Sequence, residues 1–323
     1  MNHLKVIDCL RGIAALSVCI FHFVLGHGDY LNAYPTLKSV SGFGWLGVEM
    51  FFVISGFVIP YSMAKYDYNF GKFWFFLKKR IFRIEPPYLI SVLVAFLLLW
   101  FSSIFLNKQD SDFSFTQLVL HVGYLNPFFG YRWIEEFYWT LGVEFQFYLF
   151  MGLFYTLMFR NKKSFFLFLL LICIFPLIKD NYKTFLSYST FFCFGFIAKA
   201  YFLKNINKVE AGLCTLVVFS ACLYFFKVEQ AIAGLGTLAT ILFLTNVASK
   251  PLLFLGNVSF SLYLTHDIFG GRVINYLNKS SHQINPIFIL CVGILFSIGV
   301  AYVFYRLVEL PSIKLAKNVK VTS

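Results

Sequence analysis

The stretch Asp8–Phe23, DCLRGIAALSVCIFHF, decides the fold class. It is long and apolar enough to lie in a bilayer, yet it carries Asp8, Arg11 and His22. A charge in hydrocarbon costs free energy, so such residues within a span usually serve a function. Arg11 and His22 fall on nearly the same face of a helix, about 16 Å apart along its axis. The small side chains between them let another helix or a ligand come close, which leaves a packing role and a functional role open.

The composition indicates an integral membrane protein. Hydrophobic residues make up 59% of the 323-residue chain and charged residues 13%, and the mean hydropathy is +0.74. Soluble domains contain about 45–50% apolar and about 25% charged residues. The net charge of +12 comes from Lys and Arg in short loops between apolar segments, the pattern that orients membrane helices. The expected surroundings are therefore a lipid bilayer, and nucleic acid is not an expected partner.

The seven cysteines lie within or beside apolar segments, and none has the spacing of metal ligands. We expect them to pack as small hydrophobic residues without disulfides, and we expect no metal site. Lys5 and the first apolar segment are not followed by a small-residue cleavage site, so this segment is expected to be an uncleaved span.

Hydropathy and length predict an all-α, polytopic membrane helix bundle with about ten transmembrane helices. The predicted spans are 8–26, 42–62, 86–106, 137–159, 164–179, 184–203, 209–226, 230–248, 252–275 and 286–308. With the N-terminus inside, the inner segments hold more than twice as many Lys and Arg residues as the outer loops, of which 107–136 is the longest. Both termini are therefore expected to be cytoplasmic.

Two predicted spans carry an acid in their outer halves. Glu49 lies in GFGWLGVEMFFVISGFVIP, and it is either a protonated structural acid or a partner for His22. Glu144 lies in FYWTLGVEFQFYLF, where Thr140, Glu144 and Tyr148 recur every four residues and so share one helix face.

A basic cluster, Lys79, Arg80 and Arg83, precedes the third predicted span, whose entry Pro86–Pro87 is expected to fix. One interpretation is a topology signal that also contacts anionic lipid. The other is a clamp for the phosphates of a nucleotide-like cofactor on the cytoplasmic side, because guanidinium groups pair well with phosphate oxygens.

The ninth predicted span begins LFLGNVSFSLYLTHDIF, in which Ser259, Tyr263 and His266 form one stripe. This span runs outward and should bring His266 to the level of His22, either as a functional neighbour or as a structural hydrogen-bonding group. Asp267 is adjacent in sequence and is expected to point elsewhere.

The last predicted span ends in YRLVELPSIK, where Arg306 and Glu309 are expected to pair at the inner surface. The expected organisation is a membrane domain over residues 1–311 and a short basic cytoplasmic tail over 312–323.

Taken in order, these motifs resemble the acyltransferase-3 family of integral membrane acyltransferases, typified by O-antigen and exopolysaccharide O-acetylases. Arg11 and His22, with ten residues between them in the first motif, match the family pattern, and Glu49 stands where Asp is also common. The matching segments are LRGIAALSVCIFHF, GVEMFFVISGFVI, FLKKRIFRIEPPYL, WTLGVEFQFYLF, LGNVSFSLYLTH and VELP.

The resemblance implies a one-domain enzyme of the bacterial inner membrane, without the extracytoplasmic hydrolase-like domain of some members. It implies transfer of an acyl group, usually acetyl from acetyl-CoA, to a hydroxyl of a carbohydrate such as O-antigen, capsule or exopolysaccharide. Transfer of another acyl group, such as succinyl, is an alternative. A glycan or small-molecule transporter or flippase without acyl-transfer chemistry is another, since intramembrane charges suit transport as well.

The resemblance also implies residue roles. His22 is the candidate general base, with Glu49 or Glu144 as the acid that orients it. Expected contacts to the acyl-CoA donor are Arg11, Lys79, Arg80 and Arg83. Expected contacts to the acceptor are Trp139, Thr140, Tyr148, Ser259, Tyr263 and His266, although Trp139 also suits an interfacial aromatic belt. Direct transfer and an acyl-His22 intermediate both remain open.

Overall fold

The computed structural model describes residues 4–105, 114–178, 182–245, 247–280 and 284–320. Across these ranges the protein consists of helices and contains no strand, which confirms the all-α prediction. The α-helices are α1 Lys5–Leu25, α2 Pro35–Ser41, α3 Gly47–Lys65, α4 Phe73–Phe105, α5 Phe115–Leu120, α6 Trp139–Met158, α7 Lys162–Cys173, α8 Phe185–Phe202, α9 Lys208–Phe225, α10 Val228–Phe243, α11 Lys250–Thr265, α12 Arg272–Ser280, α13 Pro286–Phe304 and α14 Leu310–Asn318.

Eight helical segments of the described chain are long and apolar enough to cross a membrane. They correspond to eight of the ten predicted spans, and the polytopic architecture is confirmed. The predicted spans 164–179 and 230–248 form the shorter helices α7 and α10. Residues 107–113 of the predicted outer loop and 321–323 of the predicted tail lie outside the described residues, and α14 runs through the predicted domain boundary at 311.

Two glycines let α1 and α11 pack side by side in the same direction. A Cβ atom on Gly256 would lie 2.1 Å from the carbonyl oxygen of Asp8, and one on Gly12 would lie 2.8 Å from that of Leu252. Gly256 thus lies inside α11, at the point where it contacts α1. Because the two helices run parallel from this contact, their later residues His22 and His266 reach the same level.

A second close contact joins α3 to α8, where a Cβ atom on Gly56 would lie 2.3 Å from the carbonyl oxygen of Phe192. Phe192 is fully buried and stacks on Phe52 at 5.0 Å between ring centroids. Around this contact lies the largest apolar core, formed mainly by α3, α6 and α8. The core fixes how α3 is rotated, and therefore which of its side chains reach the site described below.

Helix α4 differs from its predicted span. It begins at Phe73 and continues through Pro86 and Pro87, so these prolines do not mark its entry. Membrane helices tolerate internal proline because neighbouring groups satisfy the freed backbone atoms. The basic cluster therefore lies on the helix itself, where Arg80 and Arg83 are separated by three positions and share a face.

Two π-helical turns interrupt the helical pattern, one over His266–Gly271 between α11 and α12 and one over Tyr305–Glu309 before α14. Such turns shift the direction of the side chains that follow, and they are frequent at functional sites. We call the end of the bundle at which α1 begins and α3 finishes the basic end. The opposite end, which carries His22 and Asp267, is called the histidine end.

Candidate active site

A cavity of about 460 Å³ enters the bundle from the basic end. Its mouth lies beside Lys65 and Tyr66, which are exposed, and its inner limit lies at Thr140 and Tyr263. The walls come from α1, α3, α4, α6, α11 and the turn before α14. The lining side chains that carry a charge or a hydroxyl group are Asp8, Arg11, Ser55, Tyr61, Ser62, Lys65, Tyr66, Arg80, Arg83, Thr140, Glu144, Tyr148, Tyr263 and Glu309.

Arg80 and Arg83 line this cavity, as does Arg11 from α1. Arg80 donates to Ser62 Oγ at 3.3 Å, and its Nε atom is buried without a hydrogen-bond partner among the described residues. Within the described chain, no carboxylate lies at ion-pairing distance from any of the three arginines. The cavity therefore offers guanidinium groups that an anionic ligand can pair with.

Lys79 does not line the cavity. Its Nζ atom lies 4.5 Å from the ring centroid of Tyr66 and 5.4 Å from that of Phe75, so it makes cation–π contacts at the surface of the bundle. The structure thus divides the predicted basic cluster, with Arg80 and Arg83 inside and Lys79 outside.

Glu309 is a cavity residue that sequence reasoning placed elsewhere. Its Oε2 atom accepts a hydrogen bond from Ser261 at 2.5 Å, and it lies in the electrostatic field of Arg11. The expected pairing with Arg306 is wrong, because the π-helical turn aims the carboxylate into the bundle. The one sequence sign of a functional role for Glu309 was its place in the VELP segment, which matches the family pattern.

The stripe predicted on α6 is confirmed, since Thr140, Glu144 and Tyr148 all line the cavity. Glu144 Oε1 accepts hydrogen bonds from Ser55 at 3.0 Å and from Tyr148. Two donors on one oxygen hold the carboxylate in place halfway along the cavity.

Tyr263 and Thr140 close the inner end of the cavity. The Tyr263 hydroxyl lies 2.7 Å from Thr140 Oγ1 and donates to the carbonyl oxygen of Phe137 at 3.1 Å. Thr140 Oγ1 lies 2.9 Å from the same carbonyl oxygen, and because each hydroxyl carries one hydrogen, Thr140 donates to Tyr263 when Tyr263 donates to this carbonyl. Beyond this wall lie the histidines, with the ring of His266 centred 4.9 Å from that of Phe137 and 6.1 Å from that of Tyr263.

His22 and His266 lie together, as predicted, with 5.2 Å between their ring centroids. His22 is partly exposed, whereas His266 is fully buried. Nδ1 of His266 donates to the carbonyl oxygens of Tyr263 and Leu262, at 2.8 and 3.1 Å. That fixes Nε2 as the acceptor nitrogen, and this atom is buried without a partner in the described chain.

The expected contact between Glu49 and His22 is not found among the described residues. Glu49 Oε1 accepts a hydrogen bond from Gln230 of α10 at 2.8 Å, and Oε2 is buried without a partner in the described part of the chain. The cause is the rotation of α3. Gly47 packs against the backbone of Ala14 in α1, so Glu49, about 200° further around the helix, points away from α1.

Two other predicted acceptor contacts lie outside the cavity lining. Ser259 is buried, and its hydroxyl donates to the carbonyl oxygen of Gly256 at 2.8 Å, which is a helix-internal contact. Trp139 is partly exposed at the histidine end and packs on Tyr188, with Lys183 Nζ 4.7 Å from its ring centroid.

Sequence reasoning also missed a pair at the histidine end, His27 and Asp267, whose Nε2 and Oδ1 atoms lie 2.6 Å apart. Asp267 was expected to point elsewhere than His266, and its partner His27 is what the sequence did not reveal. Nearby, burial raises the pKa of Glu135 to about 8, assisted by the negative charge of Asp267. The glycine pair Gly270–Gly271 after His266 and Asp267 was the only sequence sign of an unusual turn.

No group of three or more His, Cys, Asp or Glu side chains suited to a metal ion occurs among the described residues. All seven cysteines are free thiols, six of them buried.

Comparison with known proteins decides the family. The family model described as an acyltransferase domain, acyltransferase-3, matches residues 4–306. The chain belongs to this family. It is 27% identical over 364 residues to "O-acetyltransferase OatA" of Staphylococcus aureus strain NCTC 8325, covering 96% of this chain and 57% of that protein. It is 25% identical over 372 residues to "Putative O-acetyltransferase SACOL0978" of strain COL, with the same coverage.

The chain thus spans a little over half the length of the curated relatives that it matches. No solved structure matches it.

Proposed function

We propose that the protein transfers an acyl group, acetyl in the first instance, from acyl-CoA to a hydroxyl of a cell-surface or lipid-linked glycan. The observation that carries this proposal is the cavity itself. Three arginines that form no ion pair with another described residue lie along it, and it ends at a thin wall next to His22. A long anionic molecule with a reactive tip matches this arrangement, and acyl-CoA is such a molecule. The names of the relatives support acetyl as the acyl group.

In this proposal Arg80 and Arg83 bind the phosphates of the donor near the mouth of the cavity, and Arg11 contacts its arm further in. Arginine suits this role because its planar fork pairs with phosphate oxygens. Glu144 and Tyr148 lie along the path of the arm, and the thioester reaches the end formed by Thr140 and Tyr263.

His22 acts as the general base. A sugar hydroxyl is a poor nucleophile at neutral pH, and a base within hydrogen-bond reach removes its proton as the oxygen attacks the thioester carbon. The new C–O bond forms, the C–S bond breaks, and CoA leaves as a thiolate that takes the proton back from the imidazolium. In the variant with an acyl-His22 intermediate, an imidazole nitrogen first attacks the thioester carbon, the C–S bond breaks and CoA leaves as a thiolate. The sugar hydroxyl then attacks the acyl carbon, the N–C bond breaks, and the hydroxyl proton passes to the released imidazole or the thiolate.

The partition of charge along the bundle suggests that the substrates enter from opposite faces. The positive-inside bias assigns the basic end to the cytoplasm, where acyl-CoA is made. The histidine end then faces outward, where an exported or lipid-linked glycan is available. This assignment makes the protein a multi-pass protein of the bacterial inner membrane with both termini inside.

A purified-protein assay tests the function. We expect the protein in lipid nanodiscs to release free CoA from acetyl-CoA when glycan acceptor is present, and His22→Ala to abolish that release. The rival function is transport without chemistry, which suits intramembrane charges equally well. Movement of labelled glycan across proteoliposomes without any thioester cleavage establishes the transporter and refutes the transferase.

A further inference from the structure

The π-helical turn over His266–Gly271 places two consecutive side chains at the same site. In a regular α-helix, neighbouring residues point about 100° apart, and Asp267 would leave the face that carries His266. The turn instead brings His266 beside His22 and brings Asp267 beside His27, which follows α1 by two residues. The two helices that pack through glycine are thus joined again at their ends by polar side chains.

Both ring nitrogens of His27 have hydrogen-bond partners. Asn275 Nδ2 donates to His27 Nδ1 at 3.1 Å, and therefore Nε2 carries the hydrogen and donates to Asp267 Oδ1 at 2.6 Å. With both ring nitrogens engaged, His27 is not available as a base. It holds the carboxylate of Asp267 through one oxygen, which leaves the other oxygen for a ligand.

The His27–Asp267 pair packs against the backbone of Gly271 on one side and is partly exposed to solvent on the other. A Cβ atom on Gly271 would lie 2.4 Å from the ring of His27 and 2.6 Å from Asp267 Oδ1, so backbone fills that side. The side chain of Asp267 is nevertheless 23% exposed. Because Asp267 lies at the histidine end, the exposed part of its side chain is accessible from that end of the bundle.

Two hydrogen-bond acceptors thus lie at the same end of the bundle as the proposed base, the nearer one on His266. His22 lies in the electrostatic field of Asp267, with Glu136 as a second acidic neighbour. Nε2 of His266, the ring of which contacts that of His22, is an acceptor without a partner in the described chain. A site that presents a carboxylate and an unprotonated imidazole nitrogen matches a molecule with several hydroxyl donors.

We propose that Asp267, held in position by His27, binds a second hydroxyl of the acceptor sugar while His22 takes the proton of the reacting hydroxyl. This inference rests on the proposed function and adds the residue that recognises the acceptor. It defines the acceptor class as a neutral polyol. A sugar that carries a carboxylate or phosphate near the reacting position is repelled by Asp267 and Glu136, while Arg272, a cation of this region, donates to the carbonyl oxygen of Ile268.

The test uses the full chain in nanodiscs with a panel of methyl hexopyranosides, their monodeoxy derivatives and the matching uronic acids. Loss of a hydrogen bond to a charged group reduces binding by roughly 10-fold to 100-fold. Asp267→Asn should raise the acceptor KM by that factor and change the acetyl-CoA KM by less than about twofold. The increase should vanish for the deoxy sugar that lacks the bound hydroxyl, and uronic acids should gain relative to neutral sugars. If Asp267 has only a structural role, its substitution should affect the deoxy sugar and the uronic acids in the same way as the other sugars.

Asp29→Asn is the matched control, since this side chain lies two residues after His27 and is 84% exposed. It should leave every parameter unchanged. His27→Gln provides a second variant that keeps a donor for Asp267 if Asp267→Asn does not fold, and it should raise the acceptor KM less.

Glycoside binding, measured by saturation-transfer NMR, distinguishes a failure of the proposed acyltransferase function from a failure of the proposed role of Asp267. If the wild-type protein cleaves no thioester with any acceptor, the proposed function is wrong. If it is active but Asp267→Asn binds every glycoside as well as wild type does, the role of Asp267 is wrong. Failure of all neutral glycosides to bind the active protein overturns the inference as well.

Discussion

Thr140 Oγ1 and the Tyr263 hydroxyl lie 2.7 Å apart, and the pair forms the wall between the arginine-lined cavity and the two histidines. Phe137 completes this wall, with its ring 5.5 Å from that of Tyr263 and 5.9 Å from that of His22. A thioester at the end of the cavity is thus separated from the base by one layer of side chains. In the proposed reaction the wall must shift for transfer to occur, and at rest it separates the thioester from water at the histidine end.

Removal of the hydroxyl from this wall should uncouple hydrolysis from transfer. Tyr263→Phe keeps the ring but loses the hydrogen bonds to Thr140 and to the carbonyl of Phe137. We expect acetyl-CoA hydrolysis without acceptor to rise several-fold, and the fraction of cleaved acetyl groups found on glycan to fall. Tyr224→Phe, on an exposed side chain of α9, is the control. An unchanged ratio of hydrolysis to transfer in Tyr263→Phe contradicts a sealing role for the hydroxyl.

The sequence predicts which helices cross the bilayer and which residues of α6 share a face, because hydropathy and helical periodicity are local properties. It also predicts that His22 and His266 meet, since two parallel helices that pack through small residues keep their register. The hydrogen-bond partner of Glu49, in contrast, cannot be predicted from local sequence properties. It depends on the rotation of α3, which the packing of Gly47 on α1 fixes and which brings Gln230 of the distant helix α10 to the carboxylate.

Asp267 and Glu309 escaped prediction for a related reason. Both belong to π-helical turns, in which one additional residue per turn changes the direction of the side chains. A periodicity of 3.6 residues applied through such a turn assigns the wrong face.

The donor prediction separates the two parts of the basic cluster. Arg80→Ala and Arg83→Ala should each raise the KM for acetyl-CoA by about 10-fold, the usual effect of losing a charged hydrogen bond, and the difference from wild type should shrink at high salt. Lys79→Ala should have a much smaller effect because Lys79 lies outside the cavity lining. Arg160→Ala, an exposed residue next to α6, serves as the control for lost charge. Equal effects of all four substitutions would support the topology signal instead of the phosphate clamp.

The base prediction separates His22 from Glu49. His22→Ala should lower kcat by about 100-fold to 10,000-fold at normal expression, the contribution of a general base. Glu49→Gln should retain the carbonyl oxygen that accepts from Gln230, and its kcat should stay within a few-fold of wild type. A loss in Glu49→Gln as large as that in His22→Ala would restore Glu49 as the acid that orients the base.

The orientation prediction is tested by cysteine labelling in intact cells with an impermeant maleimide. In a Cys291→Ser background, which removes the exposed native thiol, Asp29→Cys should be labelled from outside. Arg160→Cys should be labelled only after the membrane is opened, because it lies at the basic end, which the positive-inside bias assigns to the cytoplasm. The reverse labelling pattern would show that the protein has the opposite orientation in the membrane, with the mouth of the arginine-lined cavity on the outer face.

The packing of α1 on α11 should limit stability, because it leaves no room for a side chain at Gly256. A Cβ atom there would lie 2.1 Å from the carbonyl oxygen of Asp8, and backbone atoms cannot yield as a flexible side chain can. Overpacking of this kind costs about 1–3 kcal/mol, so Gly256→Ala should lower the unfolding midpoint in detergent. It should also lower kcat, since separation of the helices moves His266 away from His22. Gly212→Ala is the matched control, because no other described helix lies within 4 Å of a Cβ atom at that position of α9. If both substitutions leave the midpoint unchanged, close packing of α1 on α11 does not determine the stability of the bundle.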